Sequence, residues 1–332
     1  MSGGPAAIVA LDPAAYRPHP LHDESRTFRE TNCAVDLWIE GLHALGLDPM
    51  PALAVTLGTD FDGDQWRMFK LPAEDLRRLY GIETDELNVW KALVTHVDEQ
   101  IALGRLLIVD VDAWHLPDTA GLTYHAVHHK TTLMAQMVDV AGRRLGYFHN
   151  TGYHELSGDD FDAFLGRPGE EWGDRLPPYA ESVRLDRLRS QPPSPELARA
   201  LAAEHLGRRP ATNPISRMAK RIDEDVAWLT GRDLDDFHRY AFGTLRQCGA
   251  NAELAASYVE WLGSLDGALD GTDRDTAEAA EAYRSIAAGM KAAEFTLARA
   301  VRGRRADVAE AIGACAEAWE AATARLVRRY GA

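Results

Sequence analysis

Cys33 is the residue of this chain best placed for covalent chemistry. It follows the polar pair Thr31 and Asn32 and opens an apolar-periodic run, 33–44, that predicts a helix with a cap residue at its start. A thiol in the first helical turn lies at the positive end of the helix dipole, which favours the nucleophilic thiolate. A lone cysteine in an intracellular protein is more often a small buried hydrophobic residue than a catalyst. Catalysis is therefore indicated only if the chain also supplies a base.

Candidate bases lie just before a predicted strand at 131–138. His125, His128 and His129 precede this strand, and a second strand, joined to it by a hairpin signal, leads into Asn150. Thiol catalysis needs a base that takes the proton and a third group that orients the base. The start of one hairpin strand lies beside the end of the other, so we expect His128 beside Asn150, in the Cys, His, Asn order of papain-like enzymes. His129 and His125 remain rival bases, because adjacent residues of an extended chain point to opposite faces.

An acyl-transfer site also needs two hydrogen-bond donors for the developing oxyanion. The backbone N–H of Cys33 is one candidate, and a side-chain amide is the usual second. Asn32 is the nearest amide in sequence, and Gln65 could reach the site only through the fold. We interpret Thr31 as a helix cap.

Two segments mimic metal sites without completing them. The run 60–65 (DFDGDQ) resembles the start of a calcium loop, but Gln65 stands in place of the turn glycine and Leu71 in place of the bidentate glutamate. The histidines near residue 125 lack a cysteine or carboxylate at a recognised zinc spacing. We therefore expect neither a metal nor a bound cofactor.

Composition narrows the class of protein. The chain has 332 residues, of which 46% are hydrophobic and 26% charged, and a formal net charge of -15 that argues against nucleic acid as a partner. Its three cysteines are too few for a disulfide scaffold and fit a reducing compartment. No apolar stretch reaches the roughly 18 residues of a membrane span, and residues 1–10 do not resemble a signal peptide. We expect a cytoplasmic protein that does not bind membranes.

The pattern of elements predicts two domains. An N-terminal arm and an α+β domain occupy 1–170, a proline-rich linker follows at 171–194, and an all-α helical domain spans 195–332. Apart from the hairpin, we predict strands at 53–57, 65–70 and 106–111 and a helix at 87–103.

Five segments carry a resemblance to a known family: 32–40 (NCAVDLWIE), 60–66 (DFDGDQW), 116–121 (LPDTAG), 128–132 (HHKTT) and 146–150 (GYFHN). Through them, most of the chain resembles a bacterial domain-of-unknown-function family, number 1839. A remoter resemblance rests on a strand followed by 112–117 (DAWHLP), then a histidine, then a hairpin. That arrangement is similar to the papain-like N-terminal domain of the butirosin-biosynthesis acyltransferase H family, whose members move an acyl group from a carrier-protein thioester onto an amine.

The remoter resemblance implies a fold and a set of roles. The fold would be α+β, a papain-like cysteine-protease-type N-terminal domain followed by an all-α helical domain. Cys33 would be the nucleophile, His128 the base and Asn150 the orienting residue. The related acyltransferases more often have Asp at the third position, and Asn can orient an imidazole ring without stabilising its positive charge.

The function expected from this resemblance is cysteine-dependent acyl transfer. An acyl or aminoacyl group would pass from the phosphopantetheine thioester of a carrier protein to Cys33, and then to a small-molecule or peptide amine. Hydrolysis by a peptidase-like thioester or amide hydrolase is the enzymatic alternative. A non-catalytic carrier-protein-binding protein, with its helical domain docking the partner, is the alternative from another class.

Overall fold

The computed structural model of the protein describes residues 5–169, 176–265, 274–304 and 307–331. The chain divides into two compact units. The first comprises the described residues of Met1–Asp23, Cys33–Pro49 and Pro72–Pro192. The second comprises those of Glu24–Asn32, Met50–Leu71 and Pro193–Ala332, so two segments assigned by sequence to the first domain group with the second unit.

The first unit contains four α-helices and a sheet within its described residues. The helices are α1 (Cys33–Ala44), α2 (Ala73–Tyr80), α3 (Leu93–Ala102) and α4 (Asp159–Leu165). The strands are β1 (Ala6–Ala7), β2 (Glu83–Glu86), β3 (Arg105–Asp112), β4 (Lys130–Asp139), β5 (Arg144–His149), β6 (Gly152–Ser157) and β7 (Ala180–Arg184).

The seven strands form one antiparallel sheet in the order β2-β7-β3-β4-β5-β6, with β1 paired to β4. The hairpin of β4 and β5 is confirmed, with a register shift between Ala135 and Met137. Strand β7 lies inside the predicted linker, of which residues 171–175 are outside the described part of the chain. Proline-rich sequence did not reveal this strand, because its hydrogen bonds go to β2 and β3, which are distant in sequence.

The two faces of the sheet pack against different helices. On one face, Leu133 of β4 and Tyr147 of β5 join the core formed with Val97 of α3. On the other face, a Cβ added to Gly41 of α1 would lie 2.8 Å from the Sδ atom of Met134. Alternate residues of a strand point to opposite faces, so the even-numbered residues at the start of β4 share the α1 side with Met134.

The second unit is helical. Its helices are α5 (Pro195–Gly207), α6 (Pro214–Leu229), α7 (Leu234–Ala241), a π-helical turn (Phe242–Arg246), α8 (Gln247–Leu265), α9 (Arg274–Ala300) and α10 (Val308–Tyr330). Helix α9 packs against both α8 and α10. The prediction of an α+β chain with a helical C-terminal region is therefore confirmed, and the sheet is antiparallel.

Two predicted strands of the second unit are wrong. The run 53–57 lies in the 3-10 helix Met50–Gly58, where the Thr56 hydroxyl donates to the Leu53 carbonyl at 2.7 Å. Asn251 of α8 donates in turn to the Thr56 carbonyl. The run 65–70 contributes only the isolated bridge between Phe61 and Trp66. The run 53–57 is a short, largely buried apolar segment, which has no periodicity to distinguish strand from helix.

A buried charged cluster fixes the N-terminal arm to α1. Asp36 and Glu40 lie one turn apart on α1 and are both fully buried. His22 lies between them, with Nδ1 at Glu40 and Nε2 3.4 Å from Asp36. The Tyr16 hydroxyl and the His19 backbone N–H also donate to Glu40.

This cluster makes stability depend on pH through His22. Burial lowers the pKa of His22, but the hydrogen bonds and charges of Asp36 and Glu40 outweigh burial and raise the pKa from 6.5 to about 9. The imidazolium is therefore favoured in the folded state. Its contribution to stability is fully present below the unfolded-state pKa and is lost as pH rises through about 9.

We predict that the stability advantage of the wild type over His22→Gln falls by about 3 kcal/mol between pH 6 and pH 10. Urea unfolding of both proteins at each pH measures it. The exposed His238 on α7 provides the control, because His238→Gln removes no buried ion pair and is expected to change stability by less than about 0.5 kcal/mol at either pH. A constant difference between wild type and His22→Gln across this range would contradict the prediction.

Candidate active site

Cys33 is the first residue of α1, as the sequence predicts. Its thiol is free and the residue is partly exposed. The first four N–H groups of a helix have no acceptor within the helix, so the backbone at Cys33 can serve an anionic group. Cys248 and Cys315 are buried, and burial raises the pKa of each of these thiols. Among the three cysteines, Cys33 is thus the accessible one.

The connection between β3 and β4, residues 113–129, is built around the Asp112 carboxylate. Oδ1 accepts hydrogen bonds from the backbone N–H groups of Trp114, at 3.0 Å, and His129, at 3.1 Å. The Ala113 N–H donates to the His129 carbonyl at 2.8 Å and closes the base of the connection. Asp112 therefore ties both ends of a long loop to the end of a strand.

The other oxygen of the same carboxylate holds His128. The Nδ1–H of His128 donates to Asp112 Oδ2 at 2.6 Å, and the ring stacks on Trp114 with centroids 4.5 Å apart and planes 11° apart. Because a carboxylate only accepts, this bond fixes the proton on Nδ1 and leaves Nε2 as the basic nitrogen. No hydrogen bond to Nε2 comes from any residue that the structure describes. The His128 side chain is 72% exposed, so Nε2 is accessible.

Electrostatics keep Asp112 ionised. Burial raises the pKa of its carboxyl, but the hydrogen bonds from His128 and from the two backbone N–H groups prevail, and the pKa lies below the ordinary 3.8. Asp112 thus carries negative charge at neutral pH. A charged acceptor at Nδ1 both orients the ring and stabilises an imidazolium formed by proton transfer.

Strand register places this pair on the α1 side of the sheet. Asp112 is the register partner of Lys130 in β4. Directly opposed residues share a face, and Lys130 shares its face with Met134, which packs against α1 at Gly41. Cys33 therefore begins α1, the helix that packs on the same face of the sheet as the Asp112 side chain.

Asn150 lies in the two-residue turn between β5 and β6, closed by the pairing of His149 with Gly152. Its φ of +46° is a left-handed value that Asn tolerates and hairpin turns require. Within the described residues, the hydrogen bond of His128 is made with Asp112, and none joins His128 to Asn150. The turn geometry alone explains an asparagine at this position.

The rival bases have other contacts. His125, also at positive φ, places Nε2 3.1 Å from Asp160 Oδ1 and stacks on Tyr124 at 4.0 Å. Its Nε2, the ring nitrogen farthest from the backbone, is thereby occupied. His129 contributes its backbone groups to the base of the loop. The predicted oxyanion residues both belong to the second unit: buried Asn32 donates to the carbonyl of Phe69 and to Gln247, and Gln65 is exposed.

No sequence pattern singled out Asp112 as the partner of His128. The available signal was an aspartate at the end of a buried strand, followed by a tryptophan and a histidine-rich connection. A second missed feature is a buried network of His149 with Asp118 on the opposite face of the sheet. Among the described residues, no three His, Cys, Asp or Glu side chains are placed to hold a metal ion.

Fold and site together define a two-unit α+β protein with an accessible thiol at a helix start and an exposed His–Asp pair. The chain belongs to the DUF1839 family: the DUF1839 N-terminal domain matches residues 17–185 and the DUF1839 C-terminal domain matches residues 193–328. Comparison with curated proteins gives no match. None of the helices in the described ranges is long and apolar enough to cross a bilayer.

The geometry predicts which tautomer His128 adopts in two variants. In Asp112→Asn, the amide oxygen can keep the two backbone hydrogen bonds, which turns the amide NH₂ toward Nδ1. A donor facing Nδ1 forces the proton onto Nε2, so the neutral ring should change from the Nδ1–H to the Nε2–H tautomer. Long-range ¹H–¹⁵N spectra of the His128 ring measure this change.

Asp110→Asn is the matched control. Asp110 lies two residues earlier in β3 and binds Lys130 and Thr132, but makes no hydrogen bond to His128. The His128 tautomer should therefore be unchanged. An Nε2–H tautomer in the wild-type protein would show that Asp112 does not orient this ring.

Proposed function

We propose that this protein is a cysteine-dependent acyltransferase of papain-like architecture, in which Cys33 is the nucleophile and His128 the base. The observation that carries the proposal is the 2.6 Å hydrogen bond from His128 Nδ1–H to Asp112, which leaves a basic Nε2 accessible. Cys33 supports it as a free, partly exposed thiol at the start of α1. Asp112 takes the orienting role that the sequence resemblance gave to Asn150.

The first half-reaction transfers the acyl group to the protein. His128 Nε2 takes the thiol proton, and Cys33 Sγ bonds to the thioester carbonyl carbon. The bond from that carbon to the pantetheine sulfur then breaks, and the proton passes to the leaving thiolate. The backbone N–H at the start of α1 is the donor we assign to the developing oxyanion.

The second half-reaction delivers the acyl group to an amine. The amine nitrogen bonds to the carbonyl carbon of acyl-Cys33, and its proton passes to His128 Nε2. The bond from that carbon to Cys33 Sγ then breaks, and the leaving Cys33 thiolate takes the proton back from His128. Asp112 stabilises the imidazolium in both halves because its carboxyl stays ionised. The sequence resemblance to carrier-dependent acyltransferases supplies the substrate class: an acyl or aminoacyl group on the phosphopantetheine of a carrier protein, with a small-molecule or peptide amine as acceptor.

Incubation with an acyl-loaded carrier protein, followed by intact-mass measurement, tests the proposal. Wild-type protein should gain the mass of one acyl group, and Cys33→Ala should gain none. Cys248→Ala and Cys315→Ala are matched controls that should acylate like the wild type, because both thiols are buried. Acylation should be slower in Asp112→Asn by about 10⁴-fold, the effect of a wrong imidazole tautomer in a Ser-His-Asp triad.

The fate of the adduct separates transfer from hydrolysis. An adduct that persists until an amine is added, and then yields an amide, supports an acyltransferase. Release of free acid at the same rate with and without amines would identify a hydrolase instead. Failure of Cys33 to acylate with any loaded carrier, while the protein still binds the carrier, would favour a non-catalytic binding protein.

A further inference from the structure

Four polar side chains form a buried network on the sheet face opposite α1. His149, at the end of β5, donates from Nδ1 to Asp118 Oδ2 at 2.6 Å, and its Nε2 lies 2.8 Å from the Thr131 hydroxyl of β4. The Tyr147 hydroxyl donates to the other Asp118 oxygen at 2.5 Å. Asp118 itself belongs to the 3-10 turn Pro117–Thr119 within the loop 113–129.

The network resembles a hydroxyl, histidine and carboxylate triad, but substrate cannot reach it. The His149 side chain is 1% exposed and that of Asp118 is 5% exposed. Thr131 is buried as well, and its hydroxyl lies on the odd-numbered face of β4, with Leu133 and the α3 core. A second nucleophilic site is therefore excluded by access, and the network must act through what it holds in place.

The network holds the loop that carries His128. Asp112 closes the base of this loop, and Asp118 anchors its middle to β5 through His149 and Tyr147. Trp114, whose ring stacks on His128, lies between the two anchors.

Each bond in this anchor matters because none can be replaced by water at low cost. Burial raises the pKa of Asp118, but the hydrogen bond and charge of His149 outweigh burial and keep the pKa below 3.8. The buried carboxylate is thus charged and depends on its two donors. Loss of one donor would leave a buried acceptor unsatisfied, so the loop is expected to move toward solvent.

We propose that His149 is a positioning residue: through Asp118 it fixes the loop 113–129, so that Trp114 and Asp112 hold the His128 ring in one orientation and tautomer. The expected effect on the rate of acyl transfer rests on the proposed function. The orientation of the His128 ring can be measured without substrate.

Two substitutions of His149 separate the bond to Asp118 from the bond to Thr131. An Asn side chain places its amide near the position of Nδ1 and can still donate to Asp118. A Gln side chain reaches the position of Nε2 and can satisfy Thr131, but not Asp118. We expect His149→Asn to keep the Nδ1–H tautomer of His128 and His149→Gln to lose it, as measured by ¹H–¹⁵N spectra of the folded proteins.

Kinetics provide the second readout. His149→Gln should lower kcat for acyl transfer by about 100-fold, the scale expected for a misplaced catalytic group, with little change in KM, and His149→Asn should restore most of the loss. A purely structural role would instead lower stability in both variants and leave the His128 tautomer of the folded protein unchanged, which would overturn the inference.

Asp118→Asn is a second variant in case His149→Gln does not fold, because it keeps the side-chain volume while removing the charge. It should also lose the Nδ1–H tautomer of His128. If both variants are unfolded where the wild type is folded, the network maintains the whole unit, and the positioning role is rejected. The two proposals fail on different results. Absence of an acyl adduct in the wild type rejects the proposed function, whereas a changed His128 tautomer in His149→Gln still supports the positioning role.

Discussion

The Asp112 carboxylate is the interaction on which the candidate site depends. Oδ1 joins the two ends of the loop 113–129, and Oδ2 fixes the His128 ring. Because strand β3 ends at Asp112 in the middle of an antiparallel sheet, this carboxylate cannot shift without disturbing the pairing with β4. The sheet thus fixes the carboxylate to which His128 binds, although the His128 side chain is mostly exposed.

The sheet separates two imidazole networks by face. On the α1 side, His128 keeps one nitrogen unoccupied by the described protein and belongs to the unit that contains Cys33. On the α3 side, His149 uses both nitrogens in buried contacts. The same residue type therefore supports different roles, because His128 lies in the exposed loop 113–129 whereas His149 ends β5 and is buried against the sheet. Another buried imidazole, that of His22, fixes the N-terminal arm to α1 through Glu40.

Sequence could predict the elements with local signals. The start of α1 at Cys33 and the β4–β5 hairpin follow from a cap residue, apolar periodicity and a turn signal. Contacts between distant residues were harder to predict. Asp112 and His128 are 16 residues apart, and no sequence pattern shows which aspartate binds which histidine. Asn150 matched the expected order of a triad, yet its left-handed backbone gives it a role in a turn. The grouping of 24–32 and 50–71 with the second unit also depends on tertiary packing alone.

Exposure of the His–Asp pair constrains how it could act in catalysis. Side chains of His128 and Asp112 are 72% and 37% exposed, so water weakens their attraction in the free protein. Exclusion of water strengthens such an interaction, and an acyl-enzyme must also be protected from hydrolysis. In the proposed reaction, the bound acyl group and its carrier protein must exclude water from the His128–Asp112 pair. A site that is completed by its substrate would favour transfer over hydrolysis, because the charged pair reaches full strength only when the acyl donor or the amine acceptor has displaced the water.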